Sequence, residues 1–159
     1  SLVRQKVPAR LVLVGDGPER STVEELAEDL GVRQGITITG FLSYSEVSYW
    51  YRQATVFAFP SDKETQGMVV LEALAHGVPV IAVESEASQA IFETCRAGHV
   101  TESDPAAMAE AILDVLAATD GLKRMSEEGR VYARRFSPAS VAAEMERVYA
   151  SIGGREQEG

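Results

Sequence analysis

The 159-residue sequence predicts an α/β fold: a doubly wound, Rossmann-like parallel sheet of about five strands, with helices on both faces and a helical C-terminal segment. Three observations carry that prediction. Short strand-like segments recur at 11–14, 36–39, 55–59 and 79–83, apolar or rich in β-branched residues, with a last short one at 98–100. Segments of helical periodicity lie between them, the alternation that gives parallel strands joined by crossover helices. Finally, 57–83 holds a complete βαβ unit with its punctuation. The apolar run ends at Pro60, which cannot donate to a sheet ladder. Good helix formers fill 68–76, Gly77 supplies a left-handed cap and Pro79 blocks continuation before the next apolar run.

In chain order, residues 1–9 end in Val7-Pro8 and read as the tail of a preceding helix entering a strand, so the chain is expected to begin mid-fold. Leu11-Val12-Leu13-Val14 has the continuous apolarity of a strand buried on both faces. Gly15-Asp16-Gly17-Pro18 turns the chain, Pro18 suits the first helical position, and Val23, Leu26, Ala27 and Leu30 form the inner stripe of the helix ending at Gly31. Gly15-x-Gly17 lacks the third glycine of a phosphate loop, and Asp16 opposes an anion, so a tight turn is expected. Ile36-Thr37-Ile38-Thr39 is the next strand; Phe41 and Leu42, at its C-terminal end, either pack the core or wall the crevice at the strand ends. A helix follows, capped by Ser43 or Ser45, with Tyr49-Trp50-Tyr51 half in the core and half at the surface. After Val83 an acidic, irregular stretch (84–89) precedes a short helix around 90–94. Asp104 and Pro105 start the next helix as cap and first residue, with Met108, Ala111, Ile112, Val115 and Leu116 inward. Helices at about 122–135 and 138–152 complete a single domain, 1–152, and 153–159 is small, polar and expected to be disordered.

In such sheets ligands bind beyond the carboxyl ends of the strands, against a helix N-terminus. The helix starting at Met68 has free N–H groups at Gly67, Met68 and Val69 to receive an anion, flanked by Glu64 on the loop and Glu72 one turn inside. Carboxylates repel a phosphate and pair with hydroxyls, so a ligand carrying both hydroxyls and phosphates fits. His76 reads as a last-turn residue favoured by the helix C-terminus.

Pro60-Ser61, Glu64-Thr65-Gln66-Gly67, Leu71-Glu72-Ala73-Leu74-Ala75 and Gly77-Val78-Pro79-Val80-Ile81-Ala82 together resemble the E-x7-E signature of family 4 glycosyltransferases, retaining enzymes of the GT-B fold. The Glu-Thr-Gln-Gly variant is similar to that of lipid glycosyltransferases in the family. The resemblance implies a nucleoside-diphosphate sugar as donor, with no cofactor and no metal. Glu64 would contact the donor hexose and act catalytically, the backbone of Gly67 to Val69 would hold sugar and phosphate, Glu72 the ribose, and Phe41 and Leu42 would cover the nucleobase. It also implies that the chain is the C-terminal, donor-binding half of a GT-B enzyme. The first strand of that half, its diphosphate-binding arginine and lysine and the N-terminal acceptor domain are then expected to be missing, so the chain alone is expected to be inactive. Arg10 and Lys63 are the nearby basic residues. Where many members have a glycine-rich segment and a Pro-Glu helix start, Ser85, Glu86 and Ser88 stand here.

A formal net charge of −9 argues against nucleic acid as a partner. Cys95 is the single cysteine, compatible with a reducing cytoplasm. No apolar run approaches the roughly 18 residues of a membrane span. A soluble, cytoplasmic domain is expected, with peripheral contact of the intact enzyme to the inner membrane face left open. The rival readings are a non-catalytic nucleotide-binding module of the same architecture and a protein-interaction domain using Tyr49-Trp50-Tyr51.

Overall fold

Local sequence signals set most element boundaries in the computed structural model, which describes residues 1–153. The strands are β1 (Leu11–Leu13), β2 (Ile36–Ile38), β3 (Phe57–Phe59), β4 (Val80–Val83) and β5 (Gly98–Thr101). The helices are α1 (Arg20–Asp29), α2 (Tyr44–Gln53), α3 (Met68–Ala75), α4 (Glu86–Phe92), α5 (Pro105–Ala117), α6 (Thr119–Arg134) and α7 (Pro138–Gly153), with short 3-10 turns at Val3–Gln5 and Arg33–Gly35. All strand pairings are parallel. The α/β fold is as the sequence predicts, but the five strands form two hydrogen-bonded ladders, β1-β2 and β3-β4-β5. Only β4 pairs on both sides among the described residues; β1, β2, β3 and β5 each pair on one side and present an unpaired backbone edge on the other.

The core gathers around β4, all four of whose residues are buried, so both of its faces are covered. Val70, Ala73 and Leu74 of α3, Ile91 of α4, Ala97 and Ala133 of α6 pack into the same cluster. Burying a Val, Leu or Ile stabilises by about 1.5–3 kcal/mol each, which anchors α3 against the sheet. The first 60 residues contribute far less: Ala27 and Gly35 are the buried ones there among the described residues.

Several boundaries depart from the sequence reading. Pro18 sits in the turn before α1, which opens at Arg20 with Glu19 as cap. Leu26 and Leu30 are 55% and 49% exposed rather than inward. Arg20 and Glu24, 3.5 Å apart and extended to Arg33, lie with Val23 and Ala27 on the less exposed side of α1, and the two leucines face away from it. The segment 84–89 is largely helical: α4 begins at Glu86, four residues earlier than expected, because Ser85 and Ser88 cap it reciprocally. Helix α6 likewise begins earlier, at Thr119. Gly153, which the sequence reading puts in the disordered tail, is helical in α7, and the remainder of that segment, 154–159, lies outside the described residues.

Candidate functional site

Helix α3 is held at both ends by glycine. At its C-terminus Gly77, with φ +74°, donates to Leu74 at 2.9 Å, and Val78 donates to Ala73 at 2.9 Å, a Schellman closure that delivers the chain straight into β4. At its N-terminus the cap is Gly67, in the left-handed region at φ +68° and buried. A Cβ on Gly67 would stand 2.7 Å from Ile91 Cδ1, so the loop backbone lies directly on α4. The N–H groups of Met68, Val69 and Val70 then open the helix with no partner inside it.

Glu64 folds back over that start. Its Oε1 accepts from Gln66 N–H at 2.9 Å and Gly67 N–H at 2.8 Å. These two bonds hold its carboxyl below the usual carboxylate range. The Gly67 N–H expected to receive an anion is therefore engaged by Glu64, while those of Met68, which is exposed, and of half-buried Val69 face outward from the first turn.

Glu72 lies one turn inside α3, half-buried, on the side that faces α2. The Tyr51 hydroxyl approaches Glu72 Oε2 at 3.4 Å and the Val69 carbonyl oxygen at 3.3 Å. Burial, and then the neighbouring charge of Glu72, pushes the Tyr51 phenol well above its ordinary value. His76 Nδ1 lies 2.8 Å from the Glu72 carbonyl oxygen, which can only accept, so the proton sits on Nδ1. In the neutral ring Nε2 then accepts from Ser48 Oγ at 2.6 Å. The ring also stacks on Tyr51 at 5.2 Å. His76 is thus a structural link between α2 and α3, in the last-turn position the sequence suggested.

Phe41 and Leu42 follow β2 after Gly40, whose φ of +71° makes the turn. Phe41 is 85% exposed, which overturns core packing for it; Leu42 is half-buried. Tyr44, which the sequence reading passed over, opens α2 beside them and is likewise exposed. Its signal was an aromatic residue at the first helical position directly after the Ser43 cap. The structure brings Glu64, Gly67, Met68, Val69 and Glu72 together at the start of α3. Phe41 and Leu42 stand on a separate loop, coupled to that helix through α2.

Around these elements the remaining candidates are accounted for. Asp16 accepts from Gly17 N–H at 2.9 Å and from Arg20 at 3.0 Å, and Gly15 bridges to Gly40, so Gly15-x-Gly17 is a closed tight turn. Arg10 and Lys63 are exposed and in no ion pair among the described residues. A cleft of about 320 Å³ at the C-terminal ends of β3 and β4 is lined by Pro60, Val83, Ser103, Asp104, Pro105 and Met108, none of them a predicted site residue. Among the described residues no group of three His, Cys, Asp or Glu is placed to hold a metal ion. No described helix is long and apolar enough to cross a membrane.

The family described as "Glycosyl transferases group 1" matches residues 1–118. D-inositol 3-phosphate glycosyltransferase of Corynebacterium urealyticum is 32% identical over 160 residues, covering 96% of this chain and 38% of that protein. Alpha-monoglucosyldiacylglycerol synthase of Streptococcus pneumoniae is 32% identical over 136 residues, covering 82% of this chain and 30% of its own length. The chain therefore spans about a third of the length of these relatives. Among solved structures, sucrose-phosphate synthase of Thermosynechococcus elongatus superposes with a TM-score of 0.83 at 26% identity, over 97% of this chain and 41% of that one. Anabaena HepE, solved in complex with UDP, shares the fold at a TM-score of 0.81 and 21% identity, over 94% of this chain and 43% of its own. The open N-terminus of α3 between two glutamates thus sits in a chain that belongs to the group 1 glycosyl transferases.

Proposed function

We propose that this chain is the nucleotide-sugar-binding half of a retaining, family 4 glycosyltransferase of GT-B architecture, moving a hexose from a nucleoside-diphosphate sugar to an acceptor hydroxyl on a glycan or lipid. The observation that carries the reading is the start of α3, where unpartnered N–H groups lie between Glu64 and Glu72 beyond the carboxyl end of β3. The N–H groups suit a diphosphate and the carboxylates suit sugar hydroxyls. In this reading Glu72 takes the ribose, Glu64 the hexose through its unengaged oxygen, and exposed Phe41 with Leu42 the nucleobase. UDP in the HepE complex makes UDP-sugars the first donors to try.

Charge developing on the departing diphosphate would be met by the Met68 and Val69 N–H groups and by basic residues from outside this chain, in a cleft closed by an N-terminal acceptor domain. No metal or cofactor has a part in this scheme. The break between the two ladders supports a further element of the reading, that the first strand of this half belongs between them. The 159-residue chain by itself then transfers no sugar. We place the intact enzyme in the cytoplasm, with room for peripheral contact to the inner membrane face.

The test is a titration of UDP and GDP, with and without their sugars, followed by backbone amide shifts. Shifts should concentrate at 66–72 and around Phe41, with a Kd near or above about 1 mM, only about 4 kcal/mol, because half the phosphate clamp is missing. Shifts confined to other strand ends would refute the site.

A further inference from the structure

We propose that Tyr51 of α2 is a positioning residue for Glu72: its hydroxyl holds one carboxylate oxygen so that the other is presented to the vicinal diol of a ribose. The inference rests on the reading of Glu72 as the ribose ligand. An unbraced glutamate side chain samples several rotamers, and each must be frozen out before a two-hydroxyl ligand is gripped. Here the bracing group comes from a different helix. The Tyr51 hydroxyl has one proton, shared at long range between two acceptors, Glu72 Oε2 at 3.4 Å and the Val69 carbonyl at 3.3 Å, both on α3. It therefore registers the carboxylate against the helix backbone that carries the open N–H groups.

The ring that delivers the hydroxyl has little freedom to move. Phe57 of β3 meets it edge-on at 5.7 Å and 74°, and His76 stacks on it at 5.2 Å and 24°. His76 is in turn held at both nitrogens, by Ser48 Oγ at 2.6 Å and the Glu72 carbonyl at 2.8 Å. Ser48 and Tyr51 lie three residues apart on α2, one turn, so a single helix face clamps both ends of the segment from Glu72 to His76. Tyr51 touches Glu72 through Oε2, and Oε1 accepts no hydrogen bond among the described residues. That oxygen is the one left to accept from ribose hydroxyls.

Tyr51→Phe keeps both ring contacts and deletes only the hydroxyl. UDP and 2′,3′-dideoxy-UDP are titrated, by amide shifts, into the wild-type chain, Tyr51→Phe, Glu72→Ala and the double variant. Tyr51→Phe should weaken UDP by about threefold to tenfold, the range for one lost hydrogen bond, and leave the dideoxy analogue unchanged. It should cost nothing further in the Glu72→Ala background. Equal losses for both ligands, or a loss that adds to that of Glu72→Ala, would mean that Tyr51 supports the fold only, and the ribose reading would survive without it. If Glu72→Ala binds UDP as the wild type does, the ribose reading itself fails and the positioning role with it. Should Tyr51→Phe not fold, wild-type protein carrying 13Cζ-tyrosine gives the answer: the Tyr51 resonance should move with UDP and not with the dideoxy analogue, and a resonance unmoved by UDP overturns the proposal.

Discussion

Gly67→Ala is expected to be among the most costly single-atom additions to this chain, and the structure divides the cost into two parts. The backbone sits at φ +68°, where an L side chain costs roughly 1–2 kcal/mol. The new Cβ would also meet Ile91 Cδ1 at 2.7 Å, while Ala87 Cβ at 3.5 Å is an ordinary contact. Ile91 is buried in the core, so moving its terminal methyl means leaving a favoured rotamer, about 0.5–1.5 kcal/mol. Together the loss is about 1.5–3.5 kcal/mol, a fall in Tm of roughly 3–14 °C for a domain of this size. Urea denaturation with linear extrapolation measures it directly. Ile91→Val separates the parts: removing Cδ1 costs about 0.5–1.5 kcal/mol by itself. In that background Gly67→Ala should cost only the backbone part. A loss below about 0.5 kcal/mol in the wild-type chain would refute the conformational argument, and an identical increment in both backgrounds would refute the steric one.

Three further substitutions probe the site and its support. Glu72→Gln should weaken UDP and UDP-sugar alike, by about 1.5–3 kcal/mol or roughly 10–150-fold, since both ligands contain ribose. Its Tm should barely change, because position 72 lies beyond the first turn, where the helix dipole acts most. Glu64→Gln keeps the oxygen that accepts from Gln66 and Gly67, so it should fold normally and bind UDP as before, while losing affinity for the sugar nucleotide. Equal effects of Glu64→Gln on both ligands would sink this division of labour. Ser88→Ala tests the support beneath the site. It removes the acceptor for Ser85 N–H at 2.9 Å and the donor to the Val83 carbonyl at 2.9 Å, both buried. About 1–3 kcal/mol of stability should go with it, read by the same denaturation assay.

The 57–83 unit was legible because its signals are local and redundant. Pro60, Gly77 and Pro79 each forbid continuation of the element before them, and the left-handed backbone at Gly77 is where the sequence requires it. The placement of Glu64 and Glu72 on either side of the α3 start is equally local, a matter of counting along one helix. Helix α4 was misjudged for a local reason as well. Its capping partner at the third position is Ser88 rather than a glutamate or glutamine, so the stretch resembles an irregular loop. Leu26 and Leu30 are misplaced by the sequence because periodicity groups apolar residues without showing which side of α1 has an element to pack on, and the less exposed side carries Val23 and Ala27 instead. The contact between Tyr51 and Glu72 left no trace in spacing at all. Residues 21 apart on different helices meet only through tertiary packing. The same holds for the unpaired edges of β1 and β3, since apolar runs identify strands without naming their neighbours.

The uneven burial along the chain gives the two ladders different lifetimes. Amide protons of β4 and of α3 beyond its open first turn lie within the buried cluster and should exchange only through global unfolding, whereas those of β1, α1 and β2 are backed by little more than Ala27 and Gly35 and should exchange by subglobal opening. Helix α2 is the mechanical link, since it starts just beyond the Phe41 loop and ends clamped to α3 through Ser48 and Tyr51. A nucleotide that touches both Phe41 and the start of α3 closes that link from outside and raises the opening free energy of the weaker half by mass action. Occupancy of the site is then recorded as slowed exchange at β1, in amides that no ligand touches.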